Sequence, residues 1–271
     1  MVRVAIAGAA GRMGRSLIEA FSDDSYDSKV TVATVLSDDP SLGIDSGILS
    51  TGVANSILTV SDISKYVDDF DVLVDFTAPA ATEEHIALCQ KNSKAMVIGT
   101  TGLSQEQIEL VRGAGEKIPI VFSPNMSIGV NVCFGLLEAV AKAVGNEYDI
   151  EIFEAHHRNK KDSPSGTALK MGQLVADTLG RNLANVSIYG REGFSNQRDS
   201  NTIGFSTMRA GDIVGDHTIT FAGRGERIEI THKAGNRMTF ASGAVKAANW
   251  VFGKEAGTYS MRDILDLQIS I

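Results

Sequence analysis

Five short apolar runs, each followed by a helical or polar segment, dominate the first half of the 271-residue chain. The first is VRVAIAG, and the others span residues 30–36, 71–77, 95–101 and 118–123. Strands buried on both faces of a sheet are apolar throughout, and strands that alternate with helices usually pair in parallel. The pattern therefore predicts an α/β fold, in which helices cover both faces of a doubly wound parallel sheet.

The sequence pattern changes after Asn131. A helical pattern over 132–144, a strand ending in EAHH and a second helix are followed by strand-like runs with few helices between them. Within 203–234 polar and apolar residues alternate, which predicts an open mixed sheet with two different faces. The helical pattern of 238–252 can return to the first domain. We therefore expect two domains: residues 1–127 together with 237–271, and an α+β domain of residues 128–236.

Charge and composition exclude several classes of protein. The 25 basic and 33 acidic residues give a net charge of -8, which disfavours general attraction to nucleic acid or to an anionic membrane. One uncharged run, residues 118–137, contains prolines and asparagines that a clean membrane helix would not tolerate. Cys89 and Cys133 form neither a disulfide framework nor a metal motif, so we expect a reducing compartment, the cytoplasm.

The segment between the first strand and the first helix is rich in glycine. In GAAGRMG the glycines are Gly8, Gly11 and Gly14, and Ala10 stands where a dinucleotide-binding fingerprint usually has its second glycine. Small residues let the backbone approach a pyrophosphate, and the helix start offers N–H groups and a positive dipole end. The alternative is a tight turn without a ligand. The position after the first strand favours a Rossmann domain that binds a dinucleotide cofactor.

Other strand ends are candidates for contact with the same cofactor. The second strand ends near Ser37 and Asp38, where an acid would bind the adenosine ribose and repel a 2′-phosphate. Arg12, inside the glycine loop, is placed to pair with a phosphate. Two later strands end in GTT, residues 99–101, and in SPNM, residues 123–126. The choice between NADH and NADPH stays open, because Asp38 can substitute for the missing acid.

The segment EAHHRNKKDSPSGTA, residues 154–168, carries two adjacent histidines and three basic side chains before a predicted helix start. Ser163 or Ser165 caps that helix, so that Gly166 and Thr167 lie in its first turn. Positive side chains beside a helix N-terminus favour a carboxylate or phosphate ligand. The alternatives are a solvated basic loop and a nucleic-acid patch, for which three basic residues are too few. Adjacent histidines on a strand point to opposite faces, which argues against a metal site.

This segment resembles the signature of the 4-hydroxy-tetrahydrodipicolinate reductases, or dihydrodipicolinate reductases, of the diaminopimelate route to lysine. The segments VAIAGAAGRMGR, VDFTAP, VIGTTG, NMSIGVNV, TIGFSTMRAGDIVGDHT and GERIEITHKA resemble segments of the same family, in order. The resemblance implies the reduction of a small cyclic dicarboxylate, 4-hydroxy-tetrahydrodipicolinate, to tetrahydrodipicolinate by NADPH or NADH. It also implies a homotetramer assembled through the sheet of the second domain.

The resemblance also implies roles for the domains and for individual residues. The first domain binds the dinucleotide, and the second binds the substrate and forms the tetramer. His156 is the catalytic proton donor or acceptor and Lys160 is a proton donor, while His157, Gly166 and Thr167 bind the substrate carboxylates. The residues that line the cofactor are Gly8, Ala9, Ala10, Gly11, Arg12, Met13, Gly99, Thr100, Thr101, Ser123, Pro124, Asn125 and Met126.

Two other functions fit part of the pattern. A semialdehyde dehydrogenase of the same two-domain plan needs an activated thiol, whereas Cys89 and Cys133 have the surroundings of packed helix residues. A nucleotide-sensing module would keep the glycine loop but has no need of the His-His-x-x-Lys segment. The reductase is therefore the preferred hypothesis.

Overall fold

A computed structural model describes residues 1–23, 25–194 and 196–267. The chain divides into two units with separate cores: Met1–Ile128 together with Arg237–Asp266, and Gly129–Asn236 together with Leu267, which the sequence assigns to the first domain. Residues 268–271, which the sequence assigns to the first domain, lie outside the described residues. Within the described ranges, no helix has the length and apolar character that crossing a membrane requires.

Strands and helices are numbered separately in chain order. The strands are β1 (Val2–Ala7), β2 (Ser28–Thr34), β3 (Thr59–Val60), β4 (Val72–Asp75), β5 (Ala95–Ile98), β6 (Pro119–Phe122), β7 (Asp149–His156), β8 (Ser187–Tyr189), β9 (Ile203–Arg209), β10 (Gly215–Ala222), β11 (Arg227–Ala234) and β12 (Gly257–Tyr259). The helices are α1 (Arg12–Ala20), α2 (Ser46–Thr51), α3 (Pro79–Lys91), α4 (Gln105–Gly115), α5 (Ile128–Val144), α6 (Gly166–Thr178), α7 (Leu183–Val186), α8 (Met238–Val251) and α9 (Met261–Leu265), with a 3₁₀ helix at Ile63–Asp69.

The sheet of the first unit has the strand order β12-β6-β5-β4-β1-β2-β3, and every neighbouring pair is parallel. The chain continues from β1 towards β3 on one side and from β4 towards β6 on the other. The strand order therefore reverses beside β1, which is where doubly wound sheets bind ligands. The predicted fold class is confirmed for this unit.

Both faces of this sheet are buried, as its apolar strands predict. Along β1, Val4 and Ile6 pack in one core cluster, and the alternate residues Ala5 and Ala7 pack in another. Helices α1 and α8 contribute to the first cluster, and α3 and α4 contribute to the second. The closing helix α8 packs on the first unit, as its sequence pattern suggests.

The second unit contains a mixed sheet with the order β11-β10-β7-β9-β8. Its central strand β7 pairs in parallel with β9 and antiparallel with β10, which confirms the predicted mixed topology. One face packs against α5 and α6, where Ile152, Phe205 and Ile219 meet in the core. On the other face Phe153 and Met208 are exposed, so the two faces differ as the alternating pattern predicts.

Several short elements have no counterpart in the sequence analysis. They are α2, β3 and the 3₁₀ helix between β2 and β4, α7 between α6 and β8, and β12 and α9 near the C-terminus. Each is too short to show a clear period of hydrophobic residues. Two predicted helices have shifted ends: α5 begins at Ile128 instead of residue 132, and α8 ends at Val251.

Candidate active site

The turn between β1 and α1 needs glycine at two positions. Gly8 has a φ of 70°, in the left-handed region, and a Cβ there would lie 3.0 Å from the Thr77 side chain. A Cβ on Gly14 would overlap the carbonyl oxygen of Gly8, so glycine lets α1 pack directly against the turn. Gly11 is the N-cap of α1, and no side chain caps this helix. The first-turn N–H groups of α1 can therefore serve an anionic ligand.

A cavity of about 530 Å³ adjoins this turn. Four of the predicted cofactor residues line it: Gly8, Ala10, Gly11 and Ser37. Asp39 lines the cavity, whereas Asp38 is exposed and outside its lining. Ala9 is fully buried, and Arg12, at the first position of α1, is exposed and also outside the lining.

A second cavity, of about 320 Å³, lies at the carboxyl ends of β5 and β6. It contains the other predicted cofactor residues: Met13, Gly99, Thr100, Thr101, Ser123, Pro124, Asn125 and Met126. The two cavities share Phe76 and Thr77, so they are neighbours along the carboxyl edge of the sheet. Two adjoining cavities beside a helix start without a side-chain cap fit the extended shape and the pyrophosphate of a dinucleotide.

A buried carboxylate orients part of this lining. Asp75, the last residue of β4, accepts hydrogen bonds from Nδ1 of His85 at 2.9 Å and from the backbone and hydroxyl of Thr77 at 2.9 and 2.5 Å. The Thr100 hydroxyl donates a fourth hydrogen bond at 3.3 Å. Burial raises the pKa of Asp75, but the hydrogen bonds from His85 and Thr77 outweigh burial and leave that pKa below its ordinary value. Asp75 and His85 are not among the site residues predicted from the sequence.

In the second unit, the carboxylate of Glu154 joins the elements of the predicted anion site. Glu154 and His156 lie two residues apart on β7, on one face, and both are buried. Oε2 of Glu154 accepts a hydrogen bond from Nδ1 of His156 at 2.6 Å, and Oε1 accepts one from the Ser165 N–H at 3.0 Å. Arg209 spans both oxygens with two hydrogen bonds of 2.8 Å.

Ser165 is the N-cap of α6, so this helix begins where the sequence predicts. The Ser165 hydroxyl accepts a hydrogen bond from the Ala168 N–H at 3.2 Å and lies 2.9 Å from Nε2 of the buried His217. The His217 ring meets the His156 ring edge to face, with centroids 5.1 Å apart. A Cβ on Gly166 would meet nothing within 4 Å, so the start of α6 has room for a ligand.

The loop between β7 and α6 carries the remaining predicted residues. Nζ of Lys160 lies 2.9 Å from the carboxylate of Asp162. Arg209 donates a hydrogen bond of 2.6 Å to the Asp162 carbonyl and so ties this loop to Glu154. Nδ1 of His157 is buried and has no hydrogen-bond partner among the described residues. A buried polar atom without a partner is costly, which makes the His157 ring a candidate for contact with a ligand.

These contacts determine the charges of the cluster. Burial raises the pKa of Glu154, but hydrogen bonds from Arg209 and His156 outweigh burial and lower the pKa to about 2. Burial lowers the pKa of His156, and the adjacent Glu154 carboxylate offsets only part of that effect. Burial, with a smaller contribution from His156, lowers the pKa of His217 to about 4. At neutral pH the cluster therefore contains the Glu154 carboxylate anion, the Arg209 cation paired with it, and two neutral imidazoles.

Neither thiol resembles the nucleophile of a semialdehyde dehydrogenase. Cys89 and Cys133 lie on α3 and α5, are buried, and form no disulfide. Burial raises the pKa of both thiols, whereas a catalytic cysteine needs a lowered pKa. Among the described residues, no group of three or more histidine, cysteine, aspartate or glutamate side chains is arranged to hold a metal ion.

Comparison with known families accounts for both units. The family models described as Dihydrodipicolinate reductase, N-terminus, and Dihydrodipicolinate reductase, C-terminus, match residues 2–126 and 129–265. The chain belongs to the dihydrodipicolinate reductase family. The family resemblance recognised in the sequence is thus confirmed.

Individual members of the family match nearly the whole chain. A 4-hydroxy-tetrahydrodipicolinate reductase of Hahella chejuensis is 52% identical over 268 residues, covering 99% of this chain and 100% of that protein. The same enzyme of Pseudomonas fluorescens strain SBW25 is 52% identical over 267 residues, covering 98% of this chain and 100% of that protein. A solved structure of dipicolinate-bound dihydrodipicolinate reductase from Paenisporosarcina sp. TG-14 has a TM-score of 0.75 at 26% identity, covering 97% of this chain and 99% of that one.

Within this family framework, the side chains that support the predicted site residues are the ones that sequence reasoning missed. Glu154 could have been predicted from the sequence, because a residue two positions before His156 on a strand lies on the same face of the sheet. Nothing in the sequence links Arg209 and His217 to the cluster, because the pairing of β7 with β9 and β10 brings them there.

Proposed function

We propose that this member of the dihydrodipicolinate reductase family reduces 4-hydroxy-tetrahydrodipicolinate to tetrahydrodipicolinate with NADH or NADPH, in the diaminopimelate route to lysine. Family membership and the names of relatives at 52% identity support the reaction. The residue roles rest on one observation, the hydrogen bond from Nδ1 of His156 to Glu154 beside the capped start of α6. Reduction of a cyclic dicarboxylate needs a proton donor next to an anion site, and these residues provide both.

In this proposal His156 is the general acid. The ionised Glu154 can only accept a hydrogen bond, so Nδ1 of His156 carries a proton and Nε2 exchanges one with the substrate. Burial lowers the pKa of His156 in the free protein. A substrate with two carboxylates brings negative charge next to the imidazole, which raises that pKa towards the working pH.

The substrate carboxylates are bound by the start of α6 and its neighbours. The N–H groups of Gly166 and Thr167 open this helix, where the dipole favours an anion. His157 offers the nitrogen that has no partner among the described residues. Lys160, which is paired with Asp162, exchanges this partner for the substrate and serves as a second proton donor.

The cofactor, when bound, supplies the hydride for this reduction. The amides of the glycine loop, residues 8–13, hold its pyrophosphate, and residues 99–101 and 123–126 hold the nicotinamide half. Ser37 lies in the cavity wall where the adenosine ribose is expected, and Asp39 lies there in place of Asp38. Arg12 is placed to meet a 2′-phosphate from the exposed start of α1. Residues 1–127 with 237–271 thus form the dinucleotide-binding domain.

Residues 128–236 form the substrate-binding domain and, by this proposal, the contact between subunits. The face of the mixed sheet opposite α5 and α6 exposes Phe153 and Met208. Burial of such a face between copies of the chain supports a homotetramer, located in the cytoplasm with both thiols reduced. Light scattering at micromolar concentration should give the mass of a tetramer, and a monomer mass would exclude this assembly.

The reaction and the residue roles have a direct test. NAD(P)H oxidation is followed with substrate generated in situ by the preceding synthase. His156→Gln and Lys160→Met should each lower kcat by on the order of 10²–10⁴, as expected for loss of a general acid. Cofactor affinity should stay near that of the wild type. Lys161→Met, at the exposed neighbouring lysine, is the matched control and should keep kcat. Near-native kcat in both His156→Gln and Lys160→Met would contradict the assignment.

A further inference from the structure

The Glu154 carboxylate contacts both parts of the proposed substrate site. One of its oxygens holds Nδ1 of His156, and the other holds the N–H of Ser165, the residue directly before Gly166. Glu154 is 1% exposed, so no solvent competes for these contacts. A single buried group therefore fixes the proton donor relative to the start of α6.

Arg209 keeps this carboxylate charged and in place. The register of β7 with β9 puts Arg209 beside His156 and Thr207 beside Glu154. Two hydrogen bonds of 2.8 Å join the guanidinium to both carboxylate oxygens, and the Thr207 hydroxyl adds a contact at 3.4 Å. Paired contacts of this kind fix the plane of a carboxylate as well as its position. These contacts hold the Glu154 carboxylate in one orientation, in which Oε2 accepts the hydrogen bond from Nδ1 of His156.

We propose that Glu154, held by Arg209, is a positioning residue for the reduction. Its carboxylate fixes the Nδ1–H tautomer of His156, leaves Nε2 as the nitrogen that transfers a proton, and anchors the residue before the substrate-binding turn of α6. This inference rests on the proposed role of His156. It assigns to Glu154 no contact with the substrate or the cofactor.

The groups around His156 also determine how kcat should depend on pH. The charged and titratable groups around His156 are Glu154 on its own strand, Lys160 on the following loop, Arg209 on β9 and His217 on β10. Glu154 raises the pKa of His156, and both basic side chains lower it. Removal of the carboxylate charge leaves only the lowering effects. If the reaction needs protonated His156, the loss of kcat at high pH should move to lower pH in a variant that lacks this charge.

Glu154→Gln tests the proposal, with Glu151→Gln as a matched control. Glu151 lies on the same strand and is also paired with arginines, Arg191 and Arg198, but it has no contact with His156. We expect Glu154→Gln to lower kcat by on the order of 10²-fold or more, because the imidazole loses the partner that fixes its tautomer. Glu151→Gln should keep kcat and its pH profile.

Nitrogen-15 NMR of the His156 imidazole measures the tautomer directly. The wild type should show a protonated Nδ1 and an unprotonated Nε2 at neutral pH, and Glu154→Gln should show a mixture of tautomers. Glu154→Gln leaves the Arg209 charge buried without its partner, which can cost several kcal/mol of stability. The double variant Glu154→Gln/Arg209→Met removes both charges and should fold while showing the same mixed tautomers.

The outcomes separate this inference from the proposed function. Either Glu154 variant with a wild-type tautomer, or Glu154→Gln with wild-type kcat and pH profile, would overturn the positioning role. If His156→Gln itself kept full activity, the proposed function of His156 would fail. The tautomer measurement would then still decide whether Glu154 controls the imidazole.

Discussion

A Cβ atom on Gly14 would overlap the carbonyl oxygen of Gly8. The close approach of these two residues brings the first turn of α1 against the end of β1, beside the cavity that Gly8 and Gly11 line. Ala10, which replaces the usual second glycine of the fingerprint, lies in the cavity wall instead. The close packing of α1 on the turn therefore requires glycine at position 14, and Ala10 does not disturb this packing.

Gly14→Ala should weaken cofactor binding and lower stability. The added methyl group forces the turn away from the helix, and overpacking of this kind costs about 1–3 kcal/mol. The KM for NADPH and NADH should rise together, and urea unfolding should show the loss of stability. The control is Gly113→Ala on the exposed side of α4, where a Cβ meets nothing within 4 Å. It should gain up to about 1 kcal/mol from helix propensity and keep both KM values.

The parts of the fold that could be predicted from sequence are those with a long hydrophobic signal. Apolar runs predict β1, β4, β5 and β6, because both faces of each strand are buried. The segment between β2 and β4 could not be predicted, because a polar side chain organises it. Asp45 accepts hydrogen bonds from the backbone N–H groups of Gly47, Ile48, Asn55 and Ser56. A segment held by one carboxylate that binds four amides shows no periodic pattern of hydrophobic residues in the sequence.

Asp75→Asn should affect cofactor binding more than chemistry. The variant replaces one of two buried acceptor oxygens by an NH2 group, so that a single oxygen remains for His85 and for two threonines that line the cavities. Loss of such an acceptor costs about 1–3 kcal/mol, so KM for NAD(P)H should rise by about tenfold or more while kcat at saturation stays close to that of the wild type.

Asp71→Asn is the matched control for this change. Asp71 lies just before the opposite end of β4 and pairs with Arg3 at 2.6 Å, away from both cavities. It should lower stability without changing KM. An equal rise of KM in the two variants would show that Asp75 acts only through the stability of the sheet.

Cofactor preference should depend on Asp39 and not on Asp38. Asp39 lines the cavity and is fixed by a 2.8 Å hydrogen bond from the Ser41 N–H, whereas Asp38 is exposed outside the lining. A carboxylate near the ribose repels a 2′-phosphate, at about 1–4 kcal/mol for close charges near a surface. Asp39→Asn should therefore shift the ratio of kcat/KM by about tenfold towards NADPH. Asp38→Asn should leave the ratio unchanged, and an equal shift in both would contradict the assignment.

Arg12 and Ser37, in contrast to Asp39, should favour NADPH over NADH. The wild type should use both cofactors, with NADPH at least as good as NADH, because Ser37 stands where an acid would repel the phosphate. Arg12→Ala should raise KM for NADPH far more than for NADH, since a charge-assisted contact to the 2′-phosphate is lost. Ser37→Glu should favour NADH. Equal effects of Arg12→Ala on both cofactors would show that Arg12 does not contact the 2′-phosphate.

The site was predictable to the extent that its residues are close in sequence. The loop from His156 to Thr167 carries its chemistry in one segment, so residue types and helix capping predict an anion site there. Arg209 lies 55 positions from Glu154, and His217 lies 52 positions from Ser165. Only the register of the mixed sheet brings them together, and register follows from burial and turn geometry across the whole unit.

Acid should destabilise the second unit partly through His217. Burial lowers the pKa of this residue to about 4 in the folded chain, against 6.5 as its ordinary value. Between these two values the unfolded chain binds a proton that the folded chain does not, so stability is complete above 6.5 and falls as the pH drops towards 4. From about pH 7.5 to about pH 5 the loss due to His217 should be about 2 kcal/mol.

His217→Gln should remove this part of the pH dependence. Its amide can donate a hydrogen bond to the Ser165 hydroxyl or accept one from it, so α6 keeps its N-cap, but it does not titrate. Hydrogen exchange of the β7 and β10 amides measures the stability of this unit at both pH values. The variant should be less stable than the wild type at pH 7.5 and should lose about 2 kcal/mol less on acidification. His156 and His232 titrate in both proteins and interact with His217, so the difference between the two proteins reports His217 together with its coupling to these two histidines. Parallel losses of stability in the two proteins would show that His217 keeps its ordinary pKa despite its burial.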